Sequence, residues 1–133
     1  IFPWGDEFPD CTRANFTEDF YDDAVYYCTN DTIAVGSLPA GASPYGAMDM
    51  AGNVFEWVED NYSESYYASS PYRNPVNRSG DYFTIRGGSY RPRLLYTRVS
   101  HRHFGHHGDG VGDDSPYYRN EQVGFRCADS LPK

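Results

Sequence analysis

Apolar residues along this chain gather in four short runs that read as strands, separated by long polar stretches with no helical stripe. Val54–Val58 alternates cleanly, with Val54, Glu56 and Val58 on one face. Asp81–Arg86 is rich in aromatic and β-branched residues and predicts a second strand. Leu95–His103 predicts a third, with Tyr96, Arg98, Ser100 and Arg102 facing one way and Leu95, Thr97, Val99 and His101 the other. Gln122–Ala128 predicts the closing strand. Residues 1–36 mix aromatic and acidic residues without a 3.6-residue period, which predicts loop with at most one short helical turn. Ser37–Tyr45, Asn61–Gly80 and Phe104–Tyr118 are punctuated by Gly, Pro, Ser and Asn and predict connectors.

The apolar residues are unusual in kind. Thirteen Tyr and eight Phe stand beside two Met, with 13 Gly and 9 Pro in 133 residues. Such a chain predicts one loop-rich domain with short strands, a shallow aromatic core and tyrosine-rich surfaces. The net charge of −8 argues against nucleic acid as a partner, and against an anionic membrane except through another protein.

Cys11 and Cys28 flank an acidic, polar loop. A disulfide there would close about 17 residues and contribute roughly 3 kcal/mol in the chain-entropy model. Two reduced, buried thiols are the alternative. Cys127 is then left over, and an odd cysteine in an exported protein suggests a mate elsewhere. Asn15, Asn30, Asn61 and Asn77 each open an N-x-Ser/Thr sequon, which is compatible with export. The expected setting is therefore extracellular, cell-surface or periplasmic.

Trp4-Gly5-Asp6, Ala51–Trp57 (AGNVFEW), Arg86–Ser89 (RGGS) and Gly124–Ala128 (GFRCA) follow one another in this order. Together they resemble the formylglycine-generating enzyme, or sulfatase-modifying factor, family over nearly the whole chain. The resemblance implies an α+β, C-type-lectin-like fold, loop-rich with short antiparallel strands. Residues 1–133 would form one domain corresponding to the C-terminal portion of the family's. The N-terminal half is then expected on a preceding segment or a partner chain, since half a fold exposes strand edges. Cys127 would bridge to it.

The same resemblance implies metal chemistry at named residues. Calcium ligands would fall on the Asp49 side chain, the Gly52 and Val54 carbonyls and the Glu56 side chain. A second set would use Asn15, the Phe16 carbonyl and an acid of the Asp22-Asp23 pair, Asp23 being preferred. Carboxylates and carbonyls are the oxygen donors that a hard cation takes. The family's enzymes oxidise a sulfatase cysteine through two copper-binding cysteines just after the GGS block. Those positions carry Pro92 and Thr97 here. Neither supplies the soft thiolate that copper(I) selects, so copper and formylglycine-generating activity are not expected.

The region facing ligands in the family runs through Tyr90, Arg91, Arg93, Tyr96, Arg98, His101, His103, His107, Tyr117, Tyr118 and Arg119. Its mixture of Tyr, Arg, His and small polar residues suits recognition of a protein or a glycan. His101, His103, His106 and His107 offer a start for a borderline metal, with an exposed polar loop as the plainer reading. The expected function is a non-catalytic, calcium-stabilised, lectin-like binding or assembly module. A structural subunit of a larger surface or membrane-associated complex is the alternative, and a divergent metal-dependent oxidase ranks below both.

Overall fold

Phe55–Asn61 and Phe83–Arg86 pair antiparallel at the centre of the molecule, with Trp57 opposite Ile85 and Glu56 opposite Arg86. A computed structural model describes residues 1–19, 25–91, 93–105 and 121–128. In chain order its strands are β1 (Thr17–Asp19), β2 (Val25–Tyr27), β3 (Phe55–Asn61), β4 (Phe83–Arg86), β5 (His103–Phe104) and β6 (Val123–Gly124). β1 and β2 form a two-stranded sheet, and the other four form a sheet of order β5-β4-β3-β6. Helix among the described residues is limited to short 3₁₀ turns, at Pro39–Gly41, Tyr66–Ala68 and Leu94–Thr97.

The central pair forms because Phe55 and Ile85 give the sheet one fully buried face, against which Trp57, Tyr96 and Val123 pack. Burying a side chain of this size contributes about 1.5–3 kcal/mol. A second core of Ala14, Phe16, Ala51 and Leu94 lies under the N-terminal segment, with Trp4 and Cys28 against it. The Cys11–Cys28 disulfide closes beside that core, with Cα atoms 5.2 Å apart, while Cys127 is free and exposed.

Three sequence expectations need correction. Residues 1–36 are not loop throughout, since β1 and β2 pair there with Glu18 opposite Tyr26. Leu95–His103 is not one strand. Its first residues close a 3₁₀ turn in which the Thr97 hydroxyl donates to the Leu94 carbonyl at 2.7 Å, and only His103–Phe104 joins the sheet. The closing strand is two residues long and runs parallel to β3 rather than antiparallel.

Candidate functional site

The AGN motif folds into a strap threaded between two other segments. Gly52 N–H donates to the Gly87 carbonyl at 2.8 Å, and Asn53 N–H donates to the Asn15 carbonyl at 2.8 Å. Such a path needs left-handed backbone, which Asp49 (φ 56°), Gly52 (φ 74°) and Asn53 (φ 66°) supply. Asp and Asn tolerate that region better than other side chains. Asn53 was not singled out in the sequence, yet its side chain locks the strap. Its Oδ1 accepts from Ile33 N–H at 2.9 Å, and its Nδ2 donates to the Ile33 carbonyl at 3.2 Å.

Asp49, Gly52, Val54 and Glu56 are brought together, around a pocket of about 320 Å³. A guanidinium takes the Glu56 carboxylate and two neighbouring backbone carbonyls. Arg126 Nε donates to Glu56 Oε2 at 2.6 Å and Nη2 to Oε1 at 2.5 Å. Nη1 and Nη2 also donate to the Met48 and Asp49 carbonyls, each at 2.8 Å. Hydrogen bonding to Glu56 holds the guanidinium still more firmly charged. The Asp49 carboxylate accepts from Gly36 N–H at 2.7 Å. In this arrangement Arg126 engages Glu56, so an ion held by this set would share or displace that pair.

Asn15 of the second set is buried and bonded on both side-chain atoms. Thr29 Oγ1 donates to its Oδ1 at 2.8 Å, and its Nδ2 donates to the Asp31 carbonyl at 2.9 Å. The Phe16 carbonyl accepts from Cys28 N–H at 3.1 Å. Asp23 lies outside the described residues. Burial also removes two of the sequons as glycan sites. Asn15 is joined in this by Asn77, whose Nδ2 donates to the Asn61 and Ser79 carbonyls at 2.8 and 2.9 Å.

The RGGSY block anchors the proposed ligand face rather than forming all of it. Tyr90 is 2% exposed, so it is a core residue and not a surface contact. Burial raises its pKa, and its hydroxyl donates to Glu121 at 3.2 Å. Arg91 pairs with Glu121 at 3.0 Å. Thr17 Oγ1 donates to the Tyr90 carbonyl at 2.5 Å, and Leu94 N–H donates to Glu18 at 3.1 Å, bracing the turn from β1. Outward of that bracing lie Arg91, Arg93 and Arg98, exposed, with Leu95 and Val99 about half exposed at 52% and 53%.

Tyr96, His101 and His103 form a stack instead of a free recognition surface. The Tyr96 ring lies 4.5 Å from His101 and 6.1 Å from Phe55, and His103 lies 5.9 Å from Phe55. The two imidazoles are 6.3 Å apart and serve as aromatic packing. His106, His107, Tyr117, Tyr118, Arg119 and Pro92 lie outside the described residues. Thr97, at the second position aligned with a family cysteine, is 1% exposed and spends its hydroxyl within its own turn.

A family described as the sulfatase-modifying factor enzyme 1-like domain matches residues 1–131. The chain is 35% identical over 130 residues to serine/threonine-protein kinase pkn1 of Chlamydia caviae, covering 96% of this chain and 17% of that protein. It is 34% identical over 113 residues to hercynine oxygenase of Mycolicibacterium smegmatis, covering 79% of this chain and 24% of that one. The chain thus spans less than a quarter of either relative. Among solved structures, PvdO from Pseudomonas aeruginosa superposes with a TM-score of 0.62 at 25% identity, over 94% of this chain and 42% of that one.

Proposed function

The chain belongs to the sulfatase-modifying factor enzyme 1-like family, and we propose that it serves there as a non-catalytic binding or assembly module. The observation that carries this reading is the turn after RGGSY. Where the family's chemistry would need a second thiolate, a buried Thr97 hydroxyl is donated to the Leu94 carbonyl. The same turn, braced from β1, turns Arg91, Arg93, Leu95, Arg98 and Val99 to solvent. A rigid base under exposed cations and aliphatic groups suits contact with an acidic protein surface or an anionic glycan. The Cys11–Cys28 disulfide supports an exported setting.

A structural subunit is the second reading, favoured by the exposed Cys127 thiol, which is open to a bridge with another chain. One experiment serves both. The protein is purified from its source under mild conditions, beside a variant carrying Arg91→Ala, Arg93→Ala and Arg98→Ala. A partner or glycan that is lost from the variant while melting stays unchanged supports the binding face. A partner retained at fixed stoichiometry by the variant makes the chain a subunit docked through another surface. Turnover of a sulfatase-type cysteine peptide by the purified protein would sink the non-catalytic reading altogether.

A further inference from the structure

A second concavity, of about 290 Å³, opens beside the N-terminal core, away from the Arg126 strap. Its floor is Phe16 and Leu94, both buried in that core. Its rim is Phe8 and Tyr26, which remain 72% and 47% exposed. A phenylalanine left that open beside an unfilled apolar hollow is a wall waiting for a contact rather than a piece of core. The rim is held in place. Tyr26 donates its hydroxyl to the Cys11 sulfur at 2.9 Å, and the Cys11–Cys28 disulfide ties the segment bearing Phe8 to β2.

The polar groups of the hollow carry one sign of charge. Asp10 and Glu18 line it, and no cation does among the described residues. Asp10 is already compensated, accepting from Thr12 and from Arg13. Hydrogen bonds from Thr12 are the main reason its pKa is lowered. Glu18 differs. One of its oxygens accepts from Leu94 N–H, and no cation among the described residues pairs with it. An apolar slot with aromatic walls and an uncompensated carboxylate suits one kind of side chain, an aliphatic stem ending in a cation.

We infer that this hollow is a docking socket for a lysine or arginine side chain of a protein partner. The stem lies along Phe8, Phe16 and Leu94, and the cationic end meets Glu18 under the Tyr26 ring. An acidic chain with a net charge of −8 favours approach of such a basic partner. The socket shares none of the exposed residues of the Arg91–Arg98 face, although the Glu18–Leu94 bond joins the two, so the arginine variants and the Glu18 and Phe8 variants test them separately.

The test is NMR of the aromatic resonances during titration with Nα-acetyl-lysine N-methylamide, and in parallel with the norleucine analogue, which keeps the stem and lacks the charge. The lysine probe should shift Phe8, Phe16 and Tyr26 and bind about tenfold more tightly than norleucine at low salt, with the preference shrinking as salt rises. Glu18→Gln keeps an acceptor for Leu94 N–H and removes the charge, so it should erase the preference. Phe8→Ala, at an exposed position, should weaken both probes. Equal binding of lysine and norleucine would leave only an apolar hollow and overturn the proposal. So would a lysine preference that survives Glu18→Gln, or no shift at these residues with either probe.

Discussion

The Asp49–Glu56 strap and the Tyr90–Phe104 segment lie side by side, yet they hold their shape by opposite means. The strap is polar and directional. Left-handed backbone at three positions, the Asn53 side chain and the Arg126 guanidinium specify it. The Tyr90–Phe104 segment is held by ring packing, with Tyr96, His101 and His103 layered on Phe55. The strap carries the AGNVFEW letters of the family resemblance, while the second segment carries Pro92 and Thr97 where that resemblance implies copper-binding cysteines. Packing tolerates exchange of residues more readily than a hydrogen-bonded backbone does.

The same substitution placed in each region tests that contrast most severely. A Cβ on Gly52 would sit 2.3 Å from the Asn15 carbonyl oxygen at a φ of +74°. The strap cannot move without breaking its bonds to Asn15 and Gly87, so Gly52→Ala should cost about 3 kcal/mol or more. On Gly88, at a φ of +76°, a Cβ would come within 3.1 Å of the Tyr96 carbonyl carbon. Gly88 lies just before the packed segment. Because its contacts there are 3.1–3.3 Å rather than 2.3 Å, a shift of a few tenths of an ångström relieves them, so Gly88→Ala should cost about 1–2 kcal/mol. Urea melts of the two variants check the order, and equal losses would erase the distinction.

Arg126→Gln sharpens the comparison from the electrostatic side. It strands Glu56 and frees the Met48 and Asp49 carbonyls, in a pair that is 38% and 21% exposed. A loss of about 1–2 kcal/mol is expected, below the value for a buried pair because water reaches both groups. With Arg126 in place, calcium or a chelator should leave the melting temperature unmoved. In the variant, the freed oxygens should let calcium raise it. A calcium shift in the natural protein would mean that metal and guanidinium share the strap.

Much of the central sheet was legible because Val54–Val58 alternates and Asp81–Arg86 is rich in aromatic and β-branched residues, although β4 buries the adjacent Thr84 and Ile85 rather than every second residue. The β1–β2 hairpin was not, since Thr17–Asp19 and Val25–Tyr27 are three residues each and draw support from a disulfide and from Arg93. Leu95–His103 misled because alternation also fits a 3₁₀ turn followed by extended chain, and the two are separated by local bonds such as Thr97 Oγ1 to the Leu94 carbonyl and Tyr96 N–H to the Arg93 carbonyl. Of the site, the strap residues were found through their motif. Arg126 was missed as their counter-charge because its partner Glu56 lies 70 residues away. Tyr90 looked like a recognition residue by type, but a Tyr that finds an acceptor such as Glu121 can be buried whole.

The smallest expected effect is one of pH, and it belongs to the packed segment alone. His101 is stacked on Tyr96, and its Nε2 is buried without a hydrogen-bond partner among the described residues. Burial first, then the neighbouring His103, Arg98 and Arg86, push its pKa down to about 4. Among the described residues the charged groups that bear on it are these cations, which add to the cost of a second positive charge. In the unfolded chain the imidazole binds a proton near its ordinary value of 6.5. Between these values the unfolded state holds more protons, so stability falls as pH drops from 6.5 towards 4 and is level with respect to this group above 6.5. The ring is not fully buried, which brings the expected loss to the order of 1 kcal/mol. Replacing the imidazole by a ring that stacks without titrating, as in His101→Phe, should flatten the melting temperature over that window. An acid limb that persists unchanged in His101→Phe would place the sensitivity in the carboxylates and remove the ring stack as its source.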